Sequence, residues 1–174
     1  MKRLSFVSLL LVCSSFLVAQ SSFPSIQCKN LEKQTAQLPL LKEGKHVVML
    51  ITFGKKGAED AETWVDPLVQ KFIRKSGMLD GLFEADLIAL TVLNTGELSL
   101  AQSQENRIKA EMPKELHAAI YYTNEKEKEL LELLGKNAGQ SAHVLVLNDK
   151  GQIVKQIQGG FSEKKMEEIE SAFD

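Results

Sequence analysis

Val47-Val48-Met49-Leu50-Ile51-Thr52-Phe53 is the stretch that decides the fold: seven residues, nearly all apolar and mostly branched. A strand wetted on one side alternates apolar and polar side chains. One that is apolar on both faces belongs in the middle of a sheet covered by helices on both sides. A second run of this kind, Leu87-Ile88-Ala89-Leu90-Thr91-Val92-Leu93, lies downstream. Between the two, residues 59–75 carry helical spacing, with Ala61, Trp64 and Val65, Leu68 and Val69, Phe72 and Ile73 on one face and Gly77 as a stop. Strand, helix, strand is a parallel crossover unit, right-handed in nearly all proteins. Pro67 sits inside the helix, where it removes a hydrogen bond and predicts a bend.

Toward the C-terminus, residues 99–112 are polar, with Ile108 and Met112 four apart and Glu105 four before Lys109. That pattern predicts a solvated helix ended by Pro113. Ile120-Tyr121-Tyr122 reads as a short strand, and Asn124-Glu125-Lys126-Glu127 has the Asn-x-x-Glu form of a capping box, opening a helix through Leu134 with Gly135 as its stop. Residues 143–147 are apolar and branched, Asn148-Asp149-Lys150-Gly151 is turn chemistry, and 152–158 alternates with Ile153 and Ile157, which together predict a hairpin. Gly159-Gly160 ends it. Ser162 caps a last helix whose buried stripe is Met166, Ile169 and Phe173. The charge run at 125–129 reads as a solvated helix face.

Toward the N-terminus, residues 20–44 are polar, hold Pro24 and Pro39, and read as an irregular lead-in outside the core, with a short helix around 29–37. Residues 1–19 have the order of a secretory signal: Lys2 and Arg3, an apolar run, then Leu17-Val18-Ala19. The run is interrupted by Ser14 and Ser15 and stops at Gln20, short of the roughly 20 apolar residues a membrane span needs. Val12 before Cys13 is the wrong residue for lipidation. The expected organisation is a cleaved signal at 1–19, the lead-in at 20–44 and one domain at 45–174. An exported chain, periplasmic or secreted, keeps a single cysteine, Cys28. Two cysteines in 174 residues exclude a disulfide scaffold and a four-cysteine zinc site. A net charge of -2 gives no electrostatic footprint for nucleic acid.

The order strand, helix, strand, helix, hairpin, helix over 45–173 resembles the thioredoxin superfamily. The resemblance is carried by Phe53 closing the first strand, the helix with Trp64 and Pro67, and residues 144–154 followed by a glycine before the last helix. It implies an α/β thioredoxin-like three-layer sandwich, a central mixed sheet with helices on both faces. Leu116-His117 to Tyr122, Leu134-Gly135-Lys136-Asn137, the hairpin and Gly160 are further similar to thioredoxin-like assembly factors of mitochondrial ATP synthase and to small periplasmic relatives.

Against that family the departures matter most. A redox-active member opens its first helix with Cys-x-x-Cys, where the positive helix end lowers a thiol pKa. Counted back from Pro67, the two positions fall on Glu59 and Glu62 within a residue, and there is no cysteine in 29–174. The cis-proline that faces the dithiol is replaced by Ala142. The resemblance therefore implies a member without dithiol exchange or peroxidase chemistry, a binding, accessory or assembly module for an envelope or secreted protein. As alternative, Cys28 on a mobile arm acts as a one-cysteine redox group, with a pKa below the ordinary thiol value.

Glu59 and Glu62, with Asp60 between them, read either as charges favouring a helix start or as a binding pair. Trp64 is either core or a groove-facing anchor, and His143, beside Ala142, is the other candidate to read a partner. Cys28 is an inert buried thiol or pairs between molecules, so a monomer is expected, with a Cys28-linked dimer as the alternative. His46, His117 and His143 share no ligand spacing, and no phosphate-binding glycine loop or hydrolase motif occurs, so no metal, cofactor or nucleotide is assigned.

Overall fold

Alternate residues of β3 (His46–Phe53) serve two separate cores, and all but its first residue are buried. In the computed structural model, which describes residues 21–173 except 79, 95, 98–105, 107, 108, 111, 113 and 136, Val47, Met49, Ile51 and Phe53 face one layer. Val48 and Leu50 face the other. The two-sided apolar pattern thus does what it predicts.

Around β3 the chain builds a seven-stranded mixed sheet in the order β2-β1-β5-β4-β3-β6-β7. β4 (Ala85–Val92) runs parallel to β3, from His46↔Ala85 to Phe53↔Val92, and β5 (Ile120–Thr123) parallel to β4. β6 (His143–Leu147) is antiparallel to β3, and β7 (Ile153–Gln158) to β6. Helices α1 (Gly54–Leu68) and α3 (Glu163–Glu170) cover one face through Trp64, Leu68, Met166 and Ile169. α2 (Glu127–Leu134) covers the other through Leu130 and Leu134. Three layers around a mixed sheet are the expected architecture.

Pro67 is followed by a π-helical turn, Val69–Arg74, so the hydrogen-bond ladder changes where the ring removes a donor. The stop falls before Gly77, on Lys75, which takes the left-handed conformation at φ 48°. The β6–β7 turn holds Gly151 at φ 76°, while the Asn148 Oδ1 accepts from the backbone N–H of Lys150 and Gln152, each at 3.0 Å. Ser162 caps α3, accepting from the Lys165 N–H. The helix expected over 99–112 falls on a stretch most of which lies outside the described residues.

Two expectations need correcting. The capping box does not form: α2 begins at Glu127 after Lys126 in a left-handed conformation, and the Thr123 hydroxyl accepts the Glu125 N–H instead. The lead-in is neither irregular nor helical but a hairpin, β1 (Ile26–Asn30) with β2 (Thr35–Leu38), joined to β5. Ile26, Cys28 and Asn30 are buried and alternate with exposed Gln27 and Lys29, so this segment does belong to the core. The Asn30 Oδ1 closes the turn by accepting from Glu32 and Gln34. Further upstream, Ser22 bridges Gln152 and the Phe23 N–H donates to Gly151 O at 2.9 Å. No helix among the described residues is long and apolar enough to cross a membrane.

Candidate functional site

The end of the sheet where α1 begins and the chain turns into β6 is where the sequence places its candidate residues. α1 starts immediately after Phe53, so its first turns lie against the segment entering β6. A Cβ added to Gly57 would stand 3.2 Å from the Ser141 carbonyl oxygen, a contact that only glycine avoids here. One turn on, the Asp60 Oδ2 accepts the Ala142 N–H at 3.3 Å. Gly57 and Asp60 are thus the pair, three residues apart, that faces Ala142. Glu59 and Glu62 are exposed and point elsewhere on the helix. Counting back from Pro67 therefore gives a different pair from the one that contacts the segment entering β6, because α1 begins earlier than its apolar spacing shows.

Ala142 itself is fully buried and both its backbone groups are taken, the N–H by Asp60 and the carbonyl by the Gly159 N–H at 2.8 Å. Among the described residues the cis peptide bond is Leu38–Pro39, so the bond entering Ala142 is trans. Thr63 ties α1 to the next loop: its hydroxyl donates to the Asp60 carbonyl at 2.6 Å and accepts the Phe161 N–H at 2.8 Å.

Trp64 is core, not a groove-facing anchor. It is fully buried, its Nε1–H donates to the Gly159 carbonyl at 2.8 Å, and its ring meets Phe161 edge-on with centroids 5.3 Å apart. His143 is not available to a partner on the surface either, because β6 lies between β3 and β7 and its side chains are covered on both faces. Its ring is fully buried, its Nε2 donates to the Ala138 carbonyl at 3.3 Å, and its Nδ1 has no partner. Burial pushes its pKa down, against the Ala138 hydrogen bond and the Asp60 charge, which raise it.

Cys28 does not ride on a mobile arm. It is an inner residue of β1, 2% exposed, with its thiol 3.7 Å from the Ile26 carbonyl. Burial pushes the thiol up to about 12; a Thr123 hydrogen bond opposes this and the Glu125 charge adds to it. A reactive cysteine needs the opposite surroundings. Beside it, near the pairing of β1 with β5 at Lys29↔Tyr122 and Asn30↔Tyr121, Cys28, Thr35, Tyr122 and Glu125 help line a cleft of about 130 Å³.

The remaining histidines do not join these groups. His46 packs its ring against Phe173, and the His117 Nε2 lies 3.1 Å from the carbonyls of both Lys109 and Met112. Among the described residues no three His, Cys, Asp or Glu side chains gather as a metal site. Sequence reasoning passed over Gly57 and treated Asp60 only as a neighbour of Glu59 and Glu62; an earlier helix start, at Gly54, is the signal that finds them.

Parallel β3–β4 with the crossover α1, antiparallel β6–β7 beside β3, and α3 closing over them define a thioredoxin-like fold. Solved structures agree. The chain is similar to a protein from Chlorobium tepidum assigned as a thiol:disulfide interchange protein DsbE, at 12% identity and TM-score 0.58 over 89% of this chain and 97% of that one. It is similar to the exposed lipoprotein thioredoxin Etrx1 of Streptococcus pneumoniae, at 13% and 0.53 over 86% and 98%. It is also similar to BsSco, a member of the Sco family of cytochrome c oxidase assembly proteins, at 13% and 0.54 over 89% and 95%. No protein-family model matches the sequence, and no curated protein matches it.

Proposed function

We propose that this chain is an exported, redox-inactive thioredoxin-like module that works by binding, as an accessory or assembly factor for envelope or secreted proteins. The observation that carries the reading is that the start of α1 facing Ala142 presents Gly57 and Asp60 rather than thiols, with the Asp60 carboxylate engaged by the Ala142 N–H. A carboxylate can accept a proton or a hydrogen bond but cannot attack a disulfide. Cys28, the one thiol downstream of the expected signal, is buried in β1 with its thiolate disfavoured, which runs against the one-cysteine alternative. Export rests on Lys2, Arg3, the apolar run and Ala19. The assembly role is drawn from BsSco, a cytochrome c oxidase assembly protein of similar fold.

The test is insulin reduction by residues 20–174 with a small dithiol as electron source. The expected rate equals that of the small dithiol alone. An acceleration that disappears in Cys28→Ser would overturn the redox-inactive reading.

A further inference from the structure

We propose that His143 is an acid-sensitive latch: protonation of its ring releases the segment 137–142 and opens the end of the sheet where α1 begins. The anomaly behind this is geometric. A fully buried imidazole makes one hydrogen bond, from Nε2 to the Ala138 carbonyl, and its Nδ1 faces no partner at all. Buried polar atoms are nearly always paired, and an orphan calls for an explanation. A neutral ring tolerates an unpaired acceptor. A protonated ring turns that acceptor into a buried charged donor with nothing to receive it, a far costlier state.

The charges around the ring do not rescue it. On α1, Asp60 is the one described charged group that acts on His143, and its Oδ2 already takes the Ala142 N–H. β3 contributes Ile51 opposite His143, β7 contributes Gln158, and the turn Ala138–Gln140 contributes a carbonyl, none of them charged. Burial outweighs the attraction of Asp60, so the folded ring holds its proton less tightly than a free imidazole of ordinary value 6.5.

The segment that carries the latch is small and separately hydrogen-bonded. Ala138 N donates to Gly135 O, Gln140 N to Asn137 O, Ala142 N to Asp60 and Gly159 N to Ala142 O. These four amides report its opening without any binding partner. The inference stands apart from the redox-inactive reading, because amide exchange does not depend on thiol chemistry.

The experiment is amide hydrogen exchange on the mature chain between pH 7.5 and 5.5, with protection corrected for intrinsic rates. One imidazole that protonates only when the segment opens lowers protection at Ala138, Gln140, Ala142 and Gly159 by about tenfold across that range. The Asn30 amide in the β1–β2 turn, which donates to Gln34 O and opens without exposing His143, should change by less than twofold. In His143→Leu, or in His143→Gln should the leucine variant fail to fold, the four amides become insensitive to pH. A loss below threefold at all four, or an equal loss at Asn30 in the β1–β2 turn, overturns the latch and needs no variant to be seen.

Discussion

Alkylation of Cys28 in the folded chain separates the binding reading from the redox alternative, and its magnitude follows from the thiol's surroundings. The thiolate is the species that reacts. With the group raised from 9.0 to about 12, the thiolate fraction at pH 8 falls by about a thousandfold. The rarer thiolate is more nucleophilic, since nucleophilicity follows about 0.4–0.5 of a pKa change, which returns about twentyfold. Proton affinity alone therefore slows the reaction by about fiftyfold. Cys28 is also 2% exposed, with its strand paired to β2 along its length. A reagent can instead wait for the hairpin to open, which restores an ordinary thiol, and an opening free energy of about 3 kcal/mol slows that route by about two decades. Stopped-flow or gel-shift alkylation with a small maleimide at pH 8 should run at least about a hundredfold slower in the native protein than in urea. A native rate within fiftyfold of the unfolded one would refute the reasoning, because it would leave nothing for steric closure to do.

Trp64→Ala removes the largest buried side chain of the α1 face and should cost about 3–5 kcal/mol in urea unfolding followed by far-UV circular dichroism, since the variant has no tryptophan to watch. A loss under about 1 kcal/mol would return Trp64 to the surface. Asp86 sits between Lys42 and Lys45, each 2.6 Å away; burial raises its pKa, and the hydrogen bonds and charges of the two lysines more than reverse this. A lowered carboxylate pKa means stabilisation that is present above the ordinary value of 3.8 and is lost as pH falls through the native value. Asp86→Asn should therefore cost about 1 kcal/mol at pH 7 and low salt, less in 1 M salt, and progressively less below pH 4. A penalty unchanged at pH 2.5 would show that the side chain's shape, not its charge, is what matters.

What the sequence made legible was whatever depended on one residue type in one local geometry. Val47 to Phe53 could be nothing but a two-sided strand, Gly151 had to take a positive φ, and Ser162 had to cap. The hairpin at 26–38 stayed hidden because its inward positions hold Cys28 and Asn30 beside Ile26, so a period-two pattern looks merely polar. The contacts of Gly57 and Asp60 with the segment entering β6 stayed hidden because Pro67, not the helix start, was used as the ruler. A helix that begins directly on Phe53 leaves no apolar residue in its first turn to announce its start. The depth of His143 was within reach of the same logic that found β3: the apolar run that follows it marks a central strand, and such a strand buries both faces.

The two ends of the sheet now differ in what they offer a partner. At the α1 end, Ala142 is fully buried with its N–H on Asp60 and its carbonyl on Gly159, so an extended segment finds a place there only once those bonds are broken. Hydrogen bonds to a charged group contribute about 1.5–3 kcal/mol, and at 3.3 Å this one belongs at the lower limit. A partner can displace it only by giving the Asp60 carboxylate a better donor, an N–H or a cation, in exchange. Leu40, Leu41, Met78 and Leu82, the large apolar side chains exposed among the described residues, lie in the segments leading into β3 and β4, at the opposite end. The first end thus holds a carboxylate and the second a group of exposed apolar side chains. The salt dependence of any binding found would tell them apart, because only the first exchanges one charge-assisted contact for another.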